Sequence, residues 1–215
     1  MQTASKKIFG RRMTVTIAHI ALLFFATCGM SVTEREEAIV NRYNDASRNR
    51  FADFLVEESR YTTDGVQLHR KYYRHLIGIA SDIVERKGFA VERGSIGFYF
   101  DRISGDRGKL YLGLDIDARA SYDQPFENVA VSLIRSGLRE IIQTINSCRS
   151  IFDERNVVGM VIGWKWKSDG GYEHVNVWIL KEDFVRFEDG MLTFSELVQR
   201  STVTNTAGRI IRLPL

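Results

Sequence analysis

Residues 157–180 read VVGMVIGWKWKSDGGYEHVNVWIL, and this stretch decides the fold. Two runs rich in Val, Ile and Trp flank the turn-forming residues 168–171, a composition typical of a β-hairpin. A two-residue turn pairs even positions of the first run with odd positions of the second, so their apolar side chains share one face. We predict that this face lies on the core, with Met160, Ile162, Trp164, Trp166, Val175, Val177 and Ile179.

The opposite face of the same hairpin mixes polar and aromatic side chains. An exposed face of this kind is suited to binding a sugar, a peptide or a partner protein. Alternatively, a helix or the N-terminal segment covers it. The candidate binding face consists of Tyr172, His174, Asn176, Trp178, Lys165 and Lys167.

A long apolar stripe precedes the hairpin and predicts a helix. Pro125 is favourable near a helix start. Apolar residues then recur at three- and four-residue spacing up to Phe152, which predicts a helix long enough to cross a sheet. Cys148 falls on this stripe, so we expect a small buried apolar residue rather than a reactive thiol.

Further towards the N-terminus lie a second hairpin and a second helix. Alternating apolar positions at 96–100 and 110–116 flank a turn-rich connection, and residues 89–92 form a shorter candidate strand. Residues 64–84 carry a helical apolar stripe that stops at Gly88. Near the other end, Thr193 and Glu196 have the spacing of a capping box and predict a short helix.

These elements predict an α+β domain. Its sheet is largely antiparallel, with four to five strands in two hairpins, and is covered by the long helix. N-terminal helices and a short C-terminal helix complete it. The element order over about residues 65–200 resembles that of the type III secretion chaperones.

Three aspartates lie on predicted strands, pointing away from the predicted core. Asp115 and Asp117 are two residues apart on one strand and therefore point the same way, and Asp101 belongs to the neighbouring strand. Such carboxylates either form an ordinary solvated face or bind a hard cation through oxygen ligands. The second interpretation predicts an exported metal-dependent enzyme.

The first 28 residues have the pattern of a bacterial export segment. Lys6, Lys7, Arg11 and Arg12 precede a stretch without formal charge over residues 13–26. The stretch Phe25-Ala-Thr-Cys28 resembles the lipobox of bacterial lipoproteins, and the resemblance implies that Cys28 becomes the lipidated first residue.

Other outcomes for the N-terminal segment stay open. These are signal cleavage after Gly29, an uncleaved anchor over residues 13–32, which is roughly one bilayer span, and a buried N-terminal helix of a cytoplasmic protein. The sequence thus predicts a signal or anchor at 1–28, a charged helical stalk at 29–60 and a globular domain at 61–215. An alternative for the stalk is a helix packed on the domain.

The charge distribution argues against nucleic acid as a partner. The formal net charge is +3, but four of the 30 Lys and Arg residues lie in the export segment, which leaves 26 against 27 Asp and Glu. A basic patch able to bind nucleic acid is therefore not expected in the domain.

Together these patterns predict an exported protein, tethered to a membrane by a lipid or an anchor, that faces the periplasm or the cell exterior. We expect a non-enzymatic binding or structural module of the envelope, with an envelope protein or a small ligand as partner and without a cofactor. The alternatives are the metal-dependent enzyme and an assembly-assisting, chaperone-like dimer formed through the long helix.

Overall fold

The computed structural model describes residues 50–61 and 63–215, together with Glu34 and Glu37. The predicted export segment, including Cys28, and most of the predicted stalk lie outside these residues. Within the described part of the chain, no helix combines the length and the hydropathy needed to cross a bilayer.

A six-stranded mixed sheet forms the centre of the domain. The strands lie side by side in sequence order: β1 (Gly97–Phe100), β2 (Leu110–Ser121), β3 (Val157–Ser168), β4 (Gly171–Leu180), β5 (Thr202–Thr204) and β6 (Ile210–Ile211). All neighbours are antiparallel except β2 and β3, which are parallel.

The α+β class is confirmed, but the sheet differs from the predicted one in two respects. Its two long hairpins meet at a parallel junction, because a helix connects β2 to β3 and returns the chain to the end at which β2 began. The sheet also has two additional short strands, β5 and β6, that are too short to produce a periodic signal.

In the part of the chain described from residue 63 onwards, four α-helices accompany the sheet. They are α1 (Thr63–Ser81), α2 (Phe126–Asn146), α3 (Lys181–Glu188) and α4 (Phe194–Arg200). A π-helical turn at Asp82–Arg86 continues α1, and 3-10 turns occupy Glu58–Arg60 and Arg149–Asp153. Gly88 has a φ of +72°, as expected for a helix stop. The predicted capping box of Thr193 and Glu196 is present at the start of α4.

The main core lies between α2 and one face of the sheet. The apolar side chains of α2 and the predicted apolar face of the β3–β4 hairpin are buried together, which confirms both patterns. The turn of this hairpin is Asp169-Gly170, because Ser168 pairs with Gly171. Cys148 is completely buried in the same core, as the stripe predicts.

Residues 50–56 belong to the globular domain rather than to a stalk. Phe51, Leu55 and Val56 are buried, and the Val56 amide donates to the Ile96 carbonyl at 2.9 Å. Residues 50–56 therefore pack on the domain. Few apolar residues suffice here because β1 offers an open edge.

The predicted strand at residues 89–92 is a single bridge between Val91 and Ile116. The amide of Glu92 donates to the Asp115 carbonyl at 2.8 Å, and the Asp117 amide donates to the Ala90 carbonyl at 2.7 Å. These bonds hold the segment beside β2, just beyond the start of β1. The following turn then points onto the sheet face opposite α2.

Candidate functional site

A cleft of about 580 Å³ opens on the sheet face opposite α2. Strands β2, β3 and β4 form its floor. One wall is the turn at residues 92–95, and the other is the loop between β5 and β6. Segments from most of the length of the domain therefore meet at this cleft.

Glycines clear the space for the floor of the cleft. On strand β3, Gly163 pairs with Asp115 of β2 and with Asn176 of β4. A Cβ atom at this position would overlap Oδ1 of Asp115, Nε2 of His174 and Oδ1 of Asn176. The missing side chain thus lets three polar side chains converge above bare backbone.

Gly113, on strand β2, likewise leaves space for a neighbouring side chain. A Cβ atom there would lie 2.6 Å from the ring of Tyr99 and 2.6 Å from a methyl group of Val161. The Tyr99 ring consequently occupies the space where a side chain at Gly113 would stand. Its hydroxyl donates to the Ser95 carbonyl, which fixes the ring against the 92–95 turn.

Asp115 and His174 form the central polar contact of the floor. Nε2 of His174 lies 3.1 Å from Oδ1 of Asp115. A carboxylate oxygen accepts, so Nε2 carries the hydrogen of this bond and Nδ1 is the nitrogen left for other partners. The ring is therefore held in one orientation and one tautomer.

The β5–β6 loop holds His174 from the other side. The Thr206 hydroxyl oxygen accepts from the His174 amide at 2.7 Å, and the hydroxyl donates to Oε2 of Glu173 at 2.8 Å. Within the loop, Oδ1 of Asn205 accepts from the amides of Ala207 and Arg209. This local bonding makes the loop a shaped wall rather than an open connection.

The opposite wall is tied to the floor by polar contacts. Glu92 accepts from Nζ of Lys165 at 2.9 Å, and this hydrogen bond raises the pKa of the lysine. The Ser95 hydroxyl donates to the Glu92 carbonyl at 2.7 Å and accepts from the Asp115 amide at 3.2 Å. Ser95 is thus a connecting residue of the wall.

Tyr99 stands close to charges of both signs. Burial raises its pKa well above the usual range, and the negative charge of Asp115 adds to this shift. Arg60 and Arg102 act in the opposite direction, so both guanidinium groups are within electrostatic reach of the phenol. The phenol stays protonated at neutral pH and adds no negative charge to the cleft.

The structure divides the predicted binding face into three parts. His174, Asn176 and Trp178 line the cleft, whereas Lys165 braces its wall. Tyr172 and Lys167 are exposed and lie outside the residues that line it.

Trp178 is a packing residue rather than an open contact surface. It is 7% exposed and packs edge-on against Tyr111, with ring centroids 5.1 Å apart. Its Nε1 donates to Oγ1 of Thr204 at 3.1 Å. Trp178, Tyr111 and Val161 form a small second core on this face. The element joined to Trp178 is strand β5, whereas the sequence suggested a helix or the N-terminal segment as the cover of this face.

The three predicted metal ligands do not come together. The Asp101 amide donates to the carbonyl of Lys109. Lys109 stands six residues before Asp115 in the sequence, a separation of roughly 20 Å at the usual rise of a strand. Asp117 accepts from the Arg119 amide at 2.9 Å. Within the described residues, no group of three or more His, Cys, Asp or Glu side chains is arranged to hold a metal ion.

Asp101 instead shapes the turn after β1. Its Oδ1 accepts from the amides of Ile103 and Ser104, and its Oδ2 accepts from the Ser104 hydroxyl at 2.6 Å. Burial alone raises the pKa of this carboxyl, but these hydrogen bonds outweigh it and the pKa is lowered. The residue is an organiser of the 101–109 loop.

Several residues of the cleft belong to no periodic pattern or motif of the sequence. Arg60 is an exposed charge at the end of a 3-10 turn and Arg102 one in a loop, and Ser95 and Thr204 are single hydroxyls. The second wall follows from the stretch Thr202-Val-Thr-Asn-Thr-Ala-Gly208. A short alternation of polar and apolar residues is followed there by turn-forming residues, a pattern that indicates a short strand and a turn.

The fold and the cleft define an α+β domain with a polar, ligand-sized cavity on the free face of its sheet. The chain matches no model of a known protein family, and no curated protein or solved structure is significantly similar to it.

Proposed function

We propose that the chain is an exported, membrane-tethered envelope protein and that its globular domain is a non-enzymatic ligand-binding module. The cleft is its ligand site. The observation that carries this proposal is the convergence of Asp115, His174 and Asn176 over the bare backbone of Gly163, at the floor of the cavity.

Preorganisation supports a binding role. The His174 ring is held by Asp115, the His174 backbone amide donates to Thr206, and the indole of Trp178 is held by Thr204. Because these side chains are already ordered, a ligand that meets them loses little additional conformational freedom. A concave site with a few fixed polar groups is the usual form of a small-molecule site.

The hydroxyl groups of the cleft favour binding over hydrolysis. Ser95 donates its proton to a backbone carbonyl, and Thr206 donates to Glu173. Neither hydroxyl therefore presents a nucleophile to His174, as a hydrolase with a histidine base requires. The alternative of a metal-dependent enzyme has less support, because Asp101 lies far from Asp115.

The chaperone-like dimer has less support than the binding module. It requires an apolar surface on the long helix for a second copy of the chain. Ile141, at the middle of that surface, is completely buried by the sheet of its own chain.

The tether is supported by the charge and hydropathy pattern of residues 6–28. We expect radiolabelled palmitate to be incorporated into the wild-type protein and into a Cys148→Ala control, but not into Cys28→Ser. Labelling of the Cys28→Ser protein would exclude lipidation at this residue. An unlabelled wild-type protein that stays in the membrane fraction would indicate an uncleaved anchor instead.

The ligand site can be tested by thermal unfolding with a panel of neutral sugars, amino acids, sugar phosphates and dicarboxylates. A compound that binds the folded state raises Tm in a concentration-dependent manner. We expect at least one compound to do so, and we expect Asn176→Ala to abolish its effect. The control Gln143→Ala changes an exposed residue of α2 on the other side of the sheet. Equal responses in the two variants would place the ligand elsewhere.

A further inference from the structure

We infer that the ligand of the cleft carries an oxyanion group, a phosphate or a carboxylate, which binds between Arg60 and Arg102. This inference rests on the proposed function, because it names the chemistry of the ligand that the same cleft accepts.

The negative charges of the cleft already have partners. Glu92 pairs with Lys165 at 2.9 Å, and Asp115 bonds to His174 at 3.1 Å. Both contacts lie along the floor and the 92–95 wall. A cationic ligand would have to displace one of these partners in order to neutralise a carboxylate.

Among the described residues, the positive charges at the other end of the cleft, Arg60 and Arg102, have no acidic partner. Neither Arg60 nor Arg102 forms an ion pair with another described residue, whereas Arg93 lies 3.8 Å from Asp53. Arg102 lies with its guanidinium carbon 5.7 Å from the Phe100 ring centroid. Contact with the face of a ring leaves the N–H groups at the edge of a guanidinium available to an acceptor.

The two arginines lie at one place in the molecule. Together with Tyr99 they line the cleft and also a smaller cavity of about 120 Å³ beside it. Both guanidinium groups also act to lower the pKa of Tyr99, as cations beside the same phenol do. Two guanidinium groups around a neutral phenol form a site that favours an oxyanion.

The geometry also assigns a polarity to the ligand. Its anionic group lies at the arginine end, and its uncharged polar part lies over His174 and Asn176, where an imidazole nitrogen and an amide provide hydrogen bonds. A ligand without the anionic group would leave the two guanidinium groups without an acceptor from the ligand. The loss in binding free energy is small, because both groups are exposed to water.

Calorimetry with inorganic phosphate as the probe tests the inference. The full chain is purified in a neutral detergent at low ionic strength, where electrostatic binding is strongest. We expect phosphate to bind the wild type, and we expect Arg60→Gln and Arg102→Gln each to weaken binding by about tenfold, as for the loss of one charge-assisted hydrogen bond. Arg102→Lys keeps the charge and should retain part of the affinity.

Arg107→Gln is the matched control. Arg107 is exposed in the same loop as Arg102 but does not line the cleft, so its substitution should leave phosphate binding unchanged. Absence of phosphate binding, or equal weakening by all three Arg→Gln variants, would overturn the inference. So would a neutral compound that depends on Asn176 while the Arg60 and Arg102 variants bind it normally; that result would leave the cleft as a ligand site.

Adding lipid to the micelles distinguishes two sources of the oxyanion. If phosphatidylglycerol competes with phosphate while phosphatidylcholine does not, the group belongs to an anionic lipid headgroup. If neither lipid competes, it belongs to a soluble ligand. Both results support an oxyanion site at Arg60 and Arg102.

Discussion

At Gly163 a missing side chain gives three polar side chains a common place. Asp115 and Asn176 are its partners on the two neighbouring strands, and His174 reaches over it to Asp115. An alanine would be acceptable for the backbone, since Gly163 does not have a positive φ. The requirement for glycine is therefore one of space alone.

Gly163→Ala should reduce the free energy of unfolding by about 1–3 kcal/mol, the usual cost of overpacking. The added methyl group overlaps atoms of Asp115, His174 and Asn176, so their contacts must open. Gly170→Ala is the control, because the nearest atom to its added Cβ is 4.0 Å away in an exposed turn. Thermal unfolding measures both, and equal losses would contradict the role of crowding.

A second residue-scale prediction concerns His69. It is buried on α1 between the rings of Tyr61 and Tyr73, with centroid distances of 5.3 and 5.7 Å. Burial lowers its pKa from 6.5, so the folded protein takes up this proton less readily than the unfolded chain. Its contribution to stability is therefore complete above pH 6.5 and is lost as the pH falls through and below that value.

We expect urea unfolding to show a lower free energy of unfolding at pH 5.5 than at pH 7.5, and His69→Phe to reduce that difference. The carboxyl of Glu154, whose pKa is lowered from 4.5 by hydrogen bonds from Lys71 and Tyr72, acts at more acidic pH and outside this interval. If the free energy of unfolding of His69→Phe depends on pH as that of the wild type does, protonation of His69 does not destabilise the fold.

At the scale of elements, side-chain hydrogen bonds join the short hairpin of β5 and β6 to β4: the Trp178 indole donates to Thr204, and the Thr206 hydroxyl accepts from the His174 backbone amide. Strand β5 has three residues, which provide few backbone hydrogen bonds. The wall of the cleft is thus attached to its floor by side chains as well as by the strand ladder.

Trp178→Ala should destabilise the domain by about 3 kcal/mol or more, as for other buried tryptophans. It removes the packing on Tyr111 and the hydrogen bond to Thr204. Tyr172→Ala is the matched control on the same strand face, where the side chain is 67% exposed, and it should change stability little. Chemical denaturation distinguishes them; a small loss for Trp178→Ala would mean that β5 attaches without it.

At the scale of the whole molecule, sequence periodicity located the elements, whereas the cleft depends on distant parts of the chain. The α2 stripe and the β3–β4 alternation were readable because each buries one face over many residues. The parallel junction was not readable, since it depends on the path of α2 between two hairpins.

The residues of the cleft likewise divide into those that a local sequence pattern marks and those that only tertiary contacts bring in. His174, Asn176 and Trp178 were predicted as one face because strand alternation fixes their direction. Arg60 and Thr206 join them only through tertiary contacts, so no local pattern marks them. Asp101 was grouped with Asp115 wrongly, because pattern alone gave no register between β1 and β2, and the observed register separates the two residues along the sheet.

Ile141→Asp tests the whole-molecule arrangement directly. The side chain is completely buried between α2 and the sheet, so an unpaired carboxylate there should cost about 4 kcal/mol or more and unfold the domain. Gln143→Asp, two residues further along the same helix and exposed, should leave the fold intact. Circular dichroism and light scattering measure the result; a folded Ile141→Asp monomer obtained from a wild-type dimer would instead support an interface on α2.

The position of the β5–β6 loop along the chain sets when the cleft can form. The other wall comes from residues 92–95 and the floor from strands that end at Leu180, yet Thr204–Gly208 are required to close the cavity. A polypeptide that emerges amino-terminus first can assemble its main core before it acquires a finished cleft. The cleft can therefore close only after residue 208 has followed the rest, so an incomplete chain lacks its second wall.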